Sequence, residues 1–303
     1  MKLTPLYVTR LGLQSLDFSV PTYENLCRVQ EAHLANIPFE NTSQHGVGLQ
    51  LPSLDVEATV SKLMEHRRGG FCFELNGLLS YWLEEIGYKV TRVPGTVLFE
   101  DGTPKSEEAS HLILVVQCIE VTEEGTTKTS LYFVDVGFGE PSLHPLRYDD
   151  EFFAKIQVTP EGMKSQIVRD GDFVYLYWEK EGRMIPRLRW SHSASHLSPS
   201  PSLSDFQAGL QSVLHPESIF SKKLIVAKLT RDKKYTLAGN RFKVTGPPRF
   251  AEFGEPTIEI RHLSSEEEAH EILEEVFGIP KASSAGLTLV KSNIAPSEMW
   301  TDL

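Results

Sequence analysis

A single cysteine follows a pair of glycines in the heptapeptide Arg68-Gly69-Gly70-Phe71-Cys72-Phe73-Glu74. After it, apolar residues recur every three or four positions, which predicts a helix with one buried face. These residues are Leu75, Leu78, Leu79, Trp82, Leu83 and Ile86. Gly87 predicts the end of the helix. Cys72 would then lie at the helix N-terminus, where unpaired backbone N–H groups and the helix dipole favour the nucleophilic thiolate.

Two later apolar strands each carry one residue that suits a cysteine nucleophile. His111 stands at the start of the run 112–116, and Asp135 interrupts a second run that ends in glycines. Taken alone, the cysteine is equally compatible with packing in the core, and an isolated histidine at the end of a strand is more often a hydrogen-bonded core residue. An aspartate within a strand needs a partner, because burying an unpaired charge is costly. Cys72, His111 and Asp135 have the chain order of a nucleophile, a base and an orienting residue.

Five ordered segments carry a resemblance to a known family. They are Ile37-Pro38-Phe39-Glu40-Asn41, Arg68 to Asn76, Ser110-His111, Asp135-Val136-Gly137-Phe138-Gly139 and Leu214-His215-Pro216-Glu217-Ser218-Ile219-Phe220. Together they resemble the arylamine N-acetyltransferase family. The acidic helix expected over Ser264 to Phe277 also looks like the C-terminal helix of that family. The resemblance runs from about Leu11 to Ile279, which is nearly the whole chain.

The resemblance implies an α+β fold with a cysteine-protease-like Cys-His-Asp core. Three domains follow from it: a helical bundle, a β-barrel and an α/β lid. We expect the helical domain with the cysteine at residues 1–90, the barrel with the histidine and the aspartate at 91–203, and the lid at 204–303.

Local sequence patterns change along the chain in a compatible way. The first ninety residues are mainly helical, with helices expected at Thr22–Asn36 and Asp55–Arg67 as well as after Cys72. Short β-rich runs separated by turn signals then dominate as far as Arg189. The stretch Ser191–Ser204 is rich in serine and contains two prolines, which predicts a polar loop.

Composition excludes several classes of function. The 303 residues are 40% hydrophobic, which is enough for a large core, and the formal net charge of −11 argues against a nucleic-acid-binding face. Three cysteines without a CxxC pair predict neither a disulfide framework nor a zinc site, and we expect no metal. The sequence shows no signal-peptide layout and no apolar run of membrane-spanning length. We therefore expect a cytoplasmic protein without a membrane partner.

The three residues outline a reaction that several enzyme classes share. A Cys72 thiolate attacks an acyl carbonyl, His111 moves the proton, and Asp135 orients the imidazole. This chemistry does not choose between acyl transfer and hydrolysis. A transglutaminase-like enzyme, another cysteine hydrolase or an amide synthase would use the same triad, and a silent binding protein on this fold is a further alternative.

The resemblance favours one of these reactions. It implies ping-pong transfer of an acetyl group from acetyl-CoA, through a Cys72 thioester, to the nitrogen of an arylamine, an arylhydroxylamine or an arylhydrazine. It also implies that Phe39 and Phe138 line the pocket for the aromatic acceptor. The residues that contact CoA stay unassigned, and the donor could be acetyl-, malonyl- or propionyl-CoA.

Overall fold

The computed structural model of the chain describes residues 2–46, 51–121, 125–246 and 257–284. In these ranges the helices are α1 (Thr4–Leu11), α2 (Tyr23–Asn36), α3 (Val56–Val60), α4 (Cys72–Glu85), α5 (Gln207–Leu214), α6 (Ile219–Lys222), α7 (Glu266–Glu275) and α8 (Lys281–Ser284). The strands are β1 (Phe39–Glu40), β2 (Lys89–Val97), β3 (His111–Val121), β4 (Thr127–Val134), β5 (Leu146–Arg147), β6 (Ile156–Val158), β7 (Lys164–Asp170), β8 (Phe173–Lys180), β9 (Arg183–Ser191), β10 (Ile225–Leu229), β11 (Lys234–Ala238), β12 (Arg241–Gly246) and β13 (Thr257–His262).

The helices before the barrel largely follow the predicted pattern. Helix α2 is confirmed, and the side chain of Thr22 caps its start by accepting a hydrogen bond from the Asn25 N–H. The helix predicted over Asp55–Arg67 forms, but in two parts. It is α-helical only to Val60 and continues as a wider π-helical turn over Ser61–Glu65.

An antiparallel sheet of eight strands forms the middle of the molecule, in the order β5-β4-β3-β2-β9-β8-β7-β6. Its two edge strands are linked through a side chain. The amide of Gln157 on β6 accepts a hydrogen bond from the Arg147 N–H on β5 at 2.7 Å and donates one to the Arg147 carbonyl at 2.9 Å. This link nearly closes the sheet into a barrel, and apolar side chains of β2, β3, β8 and β9 fill its interior.

A second antiparallel sheet has the order β1-β10-β11-β12-β13. Strand β1 comes from the first ninety residues, and its Phe39 pairs with Ala227 on β10. Helix α7 packs on this sheet through Ala269, Ile272 and Leu273. The segment that carries Phe39 is therefore held by strands that lie far along the chain.

Helix α4 lies at the centre of the largest core. Its apolar face, including Leu75, Leu79 and Trp82, is fully buried and packs with residues of α1, α2, β3 and β4. Gly87 follows the helix with φ of 95°, a left-handed conformation that glycine adopts readily, and this confirms the predicted end.

The segment predicted as a polar loop over Ser191–Ser204 is only partly a loop. It contains a 3₁₀ turn at Ser193–His196, and a second one begins at Leu203. The hydroxyl of Ser200 accepts a hydrogen bond from the Arg92 N–H at 2.8 Å, so this segment is attached to the barrel. Across the described ranges, no helix combines the length and the apolar character needed to cross a membrane.

Candidate active site

Cys72 is the first residue of α4, and its side chain is buried with 4% of its surface exposed. The two glycines before it allow β1 to approach closely. A Cβ atom on Gly69 would lie 2.0 Å from the Pro38 carbonyl oxygen, so no other residue fits there without moving the backbone. The Gly70 N–H donates to the same oxygen at 3.3 Å. The glycine pair thus brings the Phe39 segment next to the cysteine.

Two buried ion pairs hold the turn that leads into α4. Glu74 accepts a hydrogen bond from the Phe71 N–H at 2.9 Å and forms a salt bridge with Lys62, also at 2.9 Å. Arg68 pairs with Glu40 at 3.0 Å. Because each charge is buried with its counter-charge, removing one partner would leave the other buried and unpaired. The charged residues of the cysteine motif therefore support the position of Cys72.

His111 and Asp135 form a direct hydrogen bond, with 2.7 Å between Nε2 and Oδ2. Both side chains are buried, with 3% and 1% of their surface exposed. Burial on its own lowers the pKa of His111, but the Asp135 carboxylate and the Cys72 sulfur outweigh it and raise this pKa to about 10. The structure thus brings Cys72, His111 and Asp135 together, and the raised pKa of His111 favours the protonated imidazolium.

Asn76 is a site residue that the sequence did not single out. Its Nδ2 donates to Asp135 Oδ1 at 2.9 Å and to the Leu112 carbonyl at 2.7 Å. Its Oδ1 accepts from the Val136 N–H at 2.8 Å. The amide is fully buried, and all these bonds link α4 to the ends of β3 and β4. One feature of the sequence could have identified Asn76 as a site residue: it lies four residues after Cys72, so both side chains lie on the same face of the helix.

Gly137 lies directly against the cysteine backbone. A Cβ atom at this position would lie 2.5 Å from the Cys72 Cα and 2.9 Å from its Cβ. The Gly137 N–H donates to Asp135 Oδ1 at 2.8 Å. The glycine that follows the aspartate therefore has two functions here, because it lets the strand end approach Cys72 and supplies a donor to the carboxylate.

A cavity of about 600 Å³ opens beside these residues, and Cys72 and His111 both line it. Phe39 and Phe138, predicted as acceptor contacts, also line the cavity. The Phe138 ring meets the His111 ring edge to face, with 5.2 Å between the centres. Phe220, from the later segment 214–220, also lines the cavity, and its ring centre lies 5.8 Å from that of Phe39. This volume and these apolar walls suit a small flat ligand.

The other two cysteines lie outside this cavity. Cys27 and Cys118 are buried and free, and neither lines the cavity. Burial raises the pKa of Cys27 to about 11 and raises that of Cys118 further above its usual range. Burial therefore favours the protonated form of both thiols, which is the weaker nucleophile.

Known proteins resemble this chain over most of its length. A family model described as N-acetyltransferase matches residues 22–284. An arylamine N-acetyltransferase of Mycolicibacterium smegmatis is 32% identical over 78% of this chain and 80% of its own length. The solved structure of an M. smegmatis arylamine N-acetyltransferase, 30% identical, superposes with a TM-score of 0.76 over 95% of this chain and 96% of that one. The Mycobacterium marinum enzyme in complex with CoA, 26% identical, gives a TM-score of 0.74 over 92% and 94%.

These matches confirm the predicted α+β fold, since they span nearly the whole chain and include its helices and both sheets. The matched range contains Cys72, His111 and Asp135. The chain belongs to the arylamine N-acetyltransferase family, a family of acyltransferase enzymes.

Proposed function

We propose that the protein transfers an acetyl group from acetyl-CoA to the nitrogen of an arylamine, an arylhydroxylamine or an arylhydrazine. One observation carries the proposal: the hydrogen-bonded pair of His111 and Asp135 lies beside Cys72, and the thiol and the imidazole open into one apolar cavity. This arrangement supplies a nucleophile, a base and an orienting carboxylate in the order that thiol-dependent acyl transfer needs.

In the first half-reaction, the Cys72 thiolate attacks the carbonyl carbon of acetyl-CoA. Backbone N–H groups at the start of α4 are suited to stabilise the oxyanion that forms. As the tetrahedral intermediate collapses, the bond to the CoA sulfur breaks and the His111 imidazolium protonates the leaving thiolate. The products are a Cys72 thioester, free CoA and a neutral imidazole.

In the second half-reaction, the amine nitrogen attacks the thioester carbonyl and the neutral His111 accepts its proton. The bond to the Cys72 sulfur then breaks, which releases the acetylated amine and restores the thiolate and the imidazolium. Asp135 accepts the Nε2–H of His111 throughout, so Nδ1 is the nitrogen that exchanges protons. Each half-reaction thus leaves the histidine in the state that the next one requires.

Phe39 and Phe138 are proposed as the walls against which the aromatic acceptor packs. Both are almost fully buried and line the cavity. Phe39 lies on β1, before the cysteine motif in the chain, and Phe138 lies after β4. Apolar rings of this kind favour a flat aromatic amine. That a related M. marinum enzyme binds CoA supports acyl-CoA as the donor.

Mass spectrometry of the intact protein tests the proposal. After mixing with acetyl-CoA, we expect the mass of one acetyl group on wild type, Cys27→Ala and Cys118→Ala, and none on Cys72→Ala. Adding an arylamine should remove the adduct and yield the amide. An adduct on another cysteine would overturn the assignment of Cys72. A thioester that is lost to water equally fast without an amine would favour a cysteine hydrolase.

We also propose the division into domains at 1–90, 91–203 and 204–303. The eight-stranded sheet, which spans residues 89–191, supports the middle domain, and β1 would then be a strand that the first domain contributes to the sheet of the third. Limited proteolysis with mass mapping of the fragments tests these boundaries. A cytoplasmic location is proposed as well, supported by three free cysteines, and cell fractionation tests it.

A further inference from the structure

Strand β13 of the second sheet is exposed on both of its faces. It is the last strand of its sheet among those that the structure describes, and it pairs with β12 along one side. Every residue of Thr257–His262 is exposed. Ile258 and Ile260 keep 55% and 48% of their surfaces exposed. An apolar edge strand of this kind presents unpaired backbone N–H and C=O groups, and a further strand can add to it.

The other edges of the two sheets are less open. Strands β5 and β6, at the two ends of the eight-stranded sheet, are linked to each other through Gln157. Strand β1, at the opposite end of the second sheet, is buried. Among the strands in the described ranges, β13 is therefore the edge most available to a partner.

The sequence of β13 suits pairing with a second copy of itself. Ile258 and Ile260 lie on one face of the strand, and Glu259 and Arg261 lie on the other. When two identical strands pair antiparallel about a two-fold axis, one residue lies opposite its own copy. An axis at Glu259 or at Arg261 would place like charges opposite each other. An axis at Ile258 would leave Ile260 and Arg261 without an opposite residue in the strand.

An axis at Ile260 gives the favourable register. Ile260 then meets the partner's Ile260, and every residue from 258 to 262 has a residue opposite it. Glu259 lies opposite the partner's Arg261, and Arg261 lies opposite the partner's Glu259. Apolar pairs and pairs of opposite charge across antiparallel strands both stabilise a sheet. This register therefore forms two ion pairs and one apolar contact around the axis.

The charged side chains are available for these contacts. Arg261 is 56% exposed and donates to Glu268 of α7 at 2.8 Å, so its other guanidinium donors are free to face the partner's Glu259. Although the chain carries a net charge of −11, β13 itself contributes one acid and one base. Two copies of this strand therefore meet without a local excess of negative charge.

We propose that the protein forms a two-fold symmetric dimer in which β13 of each protomer pairs antiparallel with β13 of its partner about Ile260. The two second sheets then become one continuous sheet. A single pair of short strands is small compared with the about 1,600 Å² of a standard interface, so the dimer is weak, with a Kd in the micromolar range. None of the residues of β13 lines the cavity beside Cys72, so acylation does not require the dimer.

Sedimentation velocity from low to high micromolar concentration measures the Kd of the dimer. We expect Ile260→Lys to raise this Kd at least about tenfold, because two like charges would meet at the axis. Ile156→Lys is the matched control. Ile156 is an isoleucine of β6, also at the edge of a sheet and 56% exposed, but β6 is linked to β5. The control should keep the wild-type Kd.

Charge reversal tests the register. Glu259→Arg and Arg261→Glu should each raise the Kd at least about tenfold, since each places like charges opposite each other twice. An equimolar mixture of these two variants should form a heterodimer, because every pair across the axis then joins opposite charges. The double variant Glu259→Arg/Arg261→Glu should form a homodimer again for the same reason.

Three results would overturn the proposal. The first is a wild type that stays monomeric at high micromolar concentration. The second is a dimer that persists unchanged in Ile260→Lys and in both charge variants, since its interface would then lie elsewhere. The third is a loss of the dimer in both charge variants that neither the mixture nor the double variant restores. Thermal unfolding shows that each variant is folded, and if Ile260→Lys is not, the charge variants decide.

Discussion

Replacing Asp135 with asparagine changes one atom, yet the structure predicts a large loss of activity. Oδ1 of Asp135 accepts two hydrogen bonds, from Asn76 Nδ2 at 2.9 Å and from the Gly137 N–H at 2.8 Å. Oδ2 is paired with His111 Nε2 at 2.7 Å. All the groups around the carboxylate therefore donate, and the amide of an asparagine has only one oxygen to accept with.

The asparagine oxygen should take the Oδ1 position, because two donors meet there. The NH₂ group then faces His111 Nε2, so this nitrogen must accept and the ring proton moves to Nδ1. A neutral imidazole in this tautomer cannot take a proton from the amine. The variant also removes the charge that raises the pKa of His111 and keeps the imidazolium stable. The same exchange in serine triads costs about 10⁴ in kcat, and we expect at least about 10² here, or about 2.7 kcal/mol of barrier.

Single-turnover acylation by acetyl-CoA and thermal unfolding should be measured on the same preparation. Asp55→Asn is a suitable control, since Asp55 caps α3 by accepting from the Ala58 N–H at 2.7 Å and asparagine caps a helix equally well. We expect this control to keep both the rate and the melting temperature. If Asp135→Asn melts early but forms the thioester at the wild-type rate per folded molecule, the carboxylate only terminates the strand and the reasoning is refuted.

Three further predictions concern the packing at Cys72 and two buried histidines. Gly137→Ala should lower acylation strongly and cost about 1–3 kcal/mol of stability, because its Cβ would lie 2.5 Å from the Cys72 Cα. Gly95→Ala, whose Cβ would meet its neighbours at 3.7 Å or more, should leave both properties near wild type in the same assays. His33 is fully buried, and burial together with the Arg10 charge lowers its pKa to about 3. As pH falls below about 6.5, His33 becomes protonated in the unfolded chain but stays neutral in the folded protein, which destabilises the fold. His33→Phe should therefore remove up to about 1.4 kcal/mol of this destabilisation per pH unit between pH 6.5 and 3. The contribution of His111 to stability has the opposite pH dependence. Because its pKa is raised in the folded protein, this contribution is complete below about pH 6.5 and is lost as pH rises through about 10. Urea unfolding of wild type, His33→Phe and His111→Gln at several pH values checks both slopes, and a His33→Phe protein with the same acid slope as wild type would contradict the first.

The sequence predicts elements well where a periodic apolar face fixes them. The face from Leu75 to Ile86 identifies α4, and the apolar run after His111 identifies β3. The expectation that Asp135 needs a partner agrees with its bond to His111, because the cost of burying a lone charge holds in any fold. These inferences depend on local periodicity and on one general penalty, and neither requires knowledge of distant contacts.

Strand β9 lies mostly within the predicted β-rich region, but the sequence does not single it out as a strand, for a physical reason. Arg183–Ser191 contains three arginines and a proline, which hide the alternation of a strand. In the structure two of these arginines stack on aromatic rings of β8: Arg187 lies over Trp178 and Arg189 over Phe173. The sequence does not single out strand β13 either, since Ile258 and Ile260 alternate with charged residues but remain about half exposed. These two arginines of β9 find their partners on the neighbouring strand β8, and Arg261 of β13 pairs with Glu268 of helix α7 at 2.8 Å. These partners lie outside each strand, so the local sequence pattern does not indicate them.

The geometry of the site depends on contacts between elements that meet only in the folded chain. Strands β3 and β4 pair with Leu114 opposite Val134, and this register brings His111 and Asp135 to the same end of the hairpin. Nothing in the two apolar runs selects this register over a shift of two residues, which would keep the same faces buried. Asn76 distinguishes between these registers, because its one amide bonds the Leu112 carbonyl, the Val136 N–H and the Asp135 carboxylate. A shifted hairpin would leave those buried groups unpaired. Helix α4, which carries Cys72, therefore also fixes the pairing of β3 with β4, and it does so through Asn76, about one helical turn after Cys72.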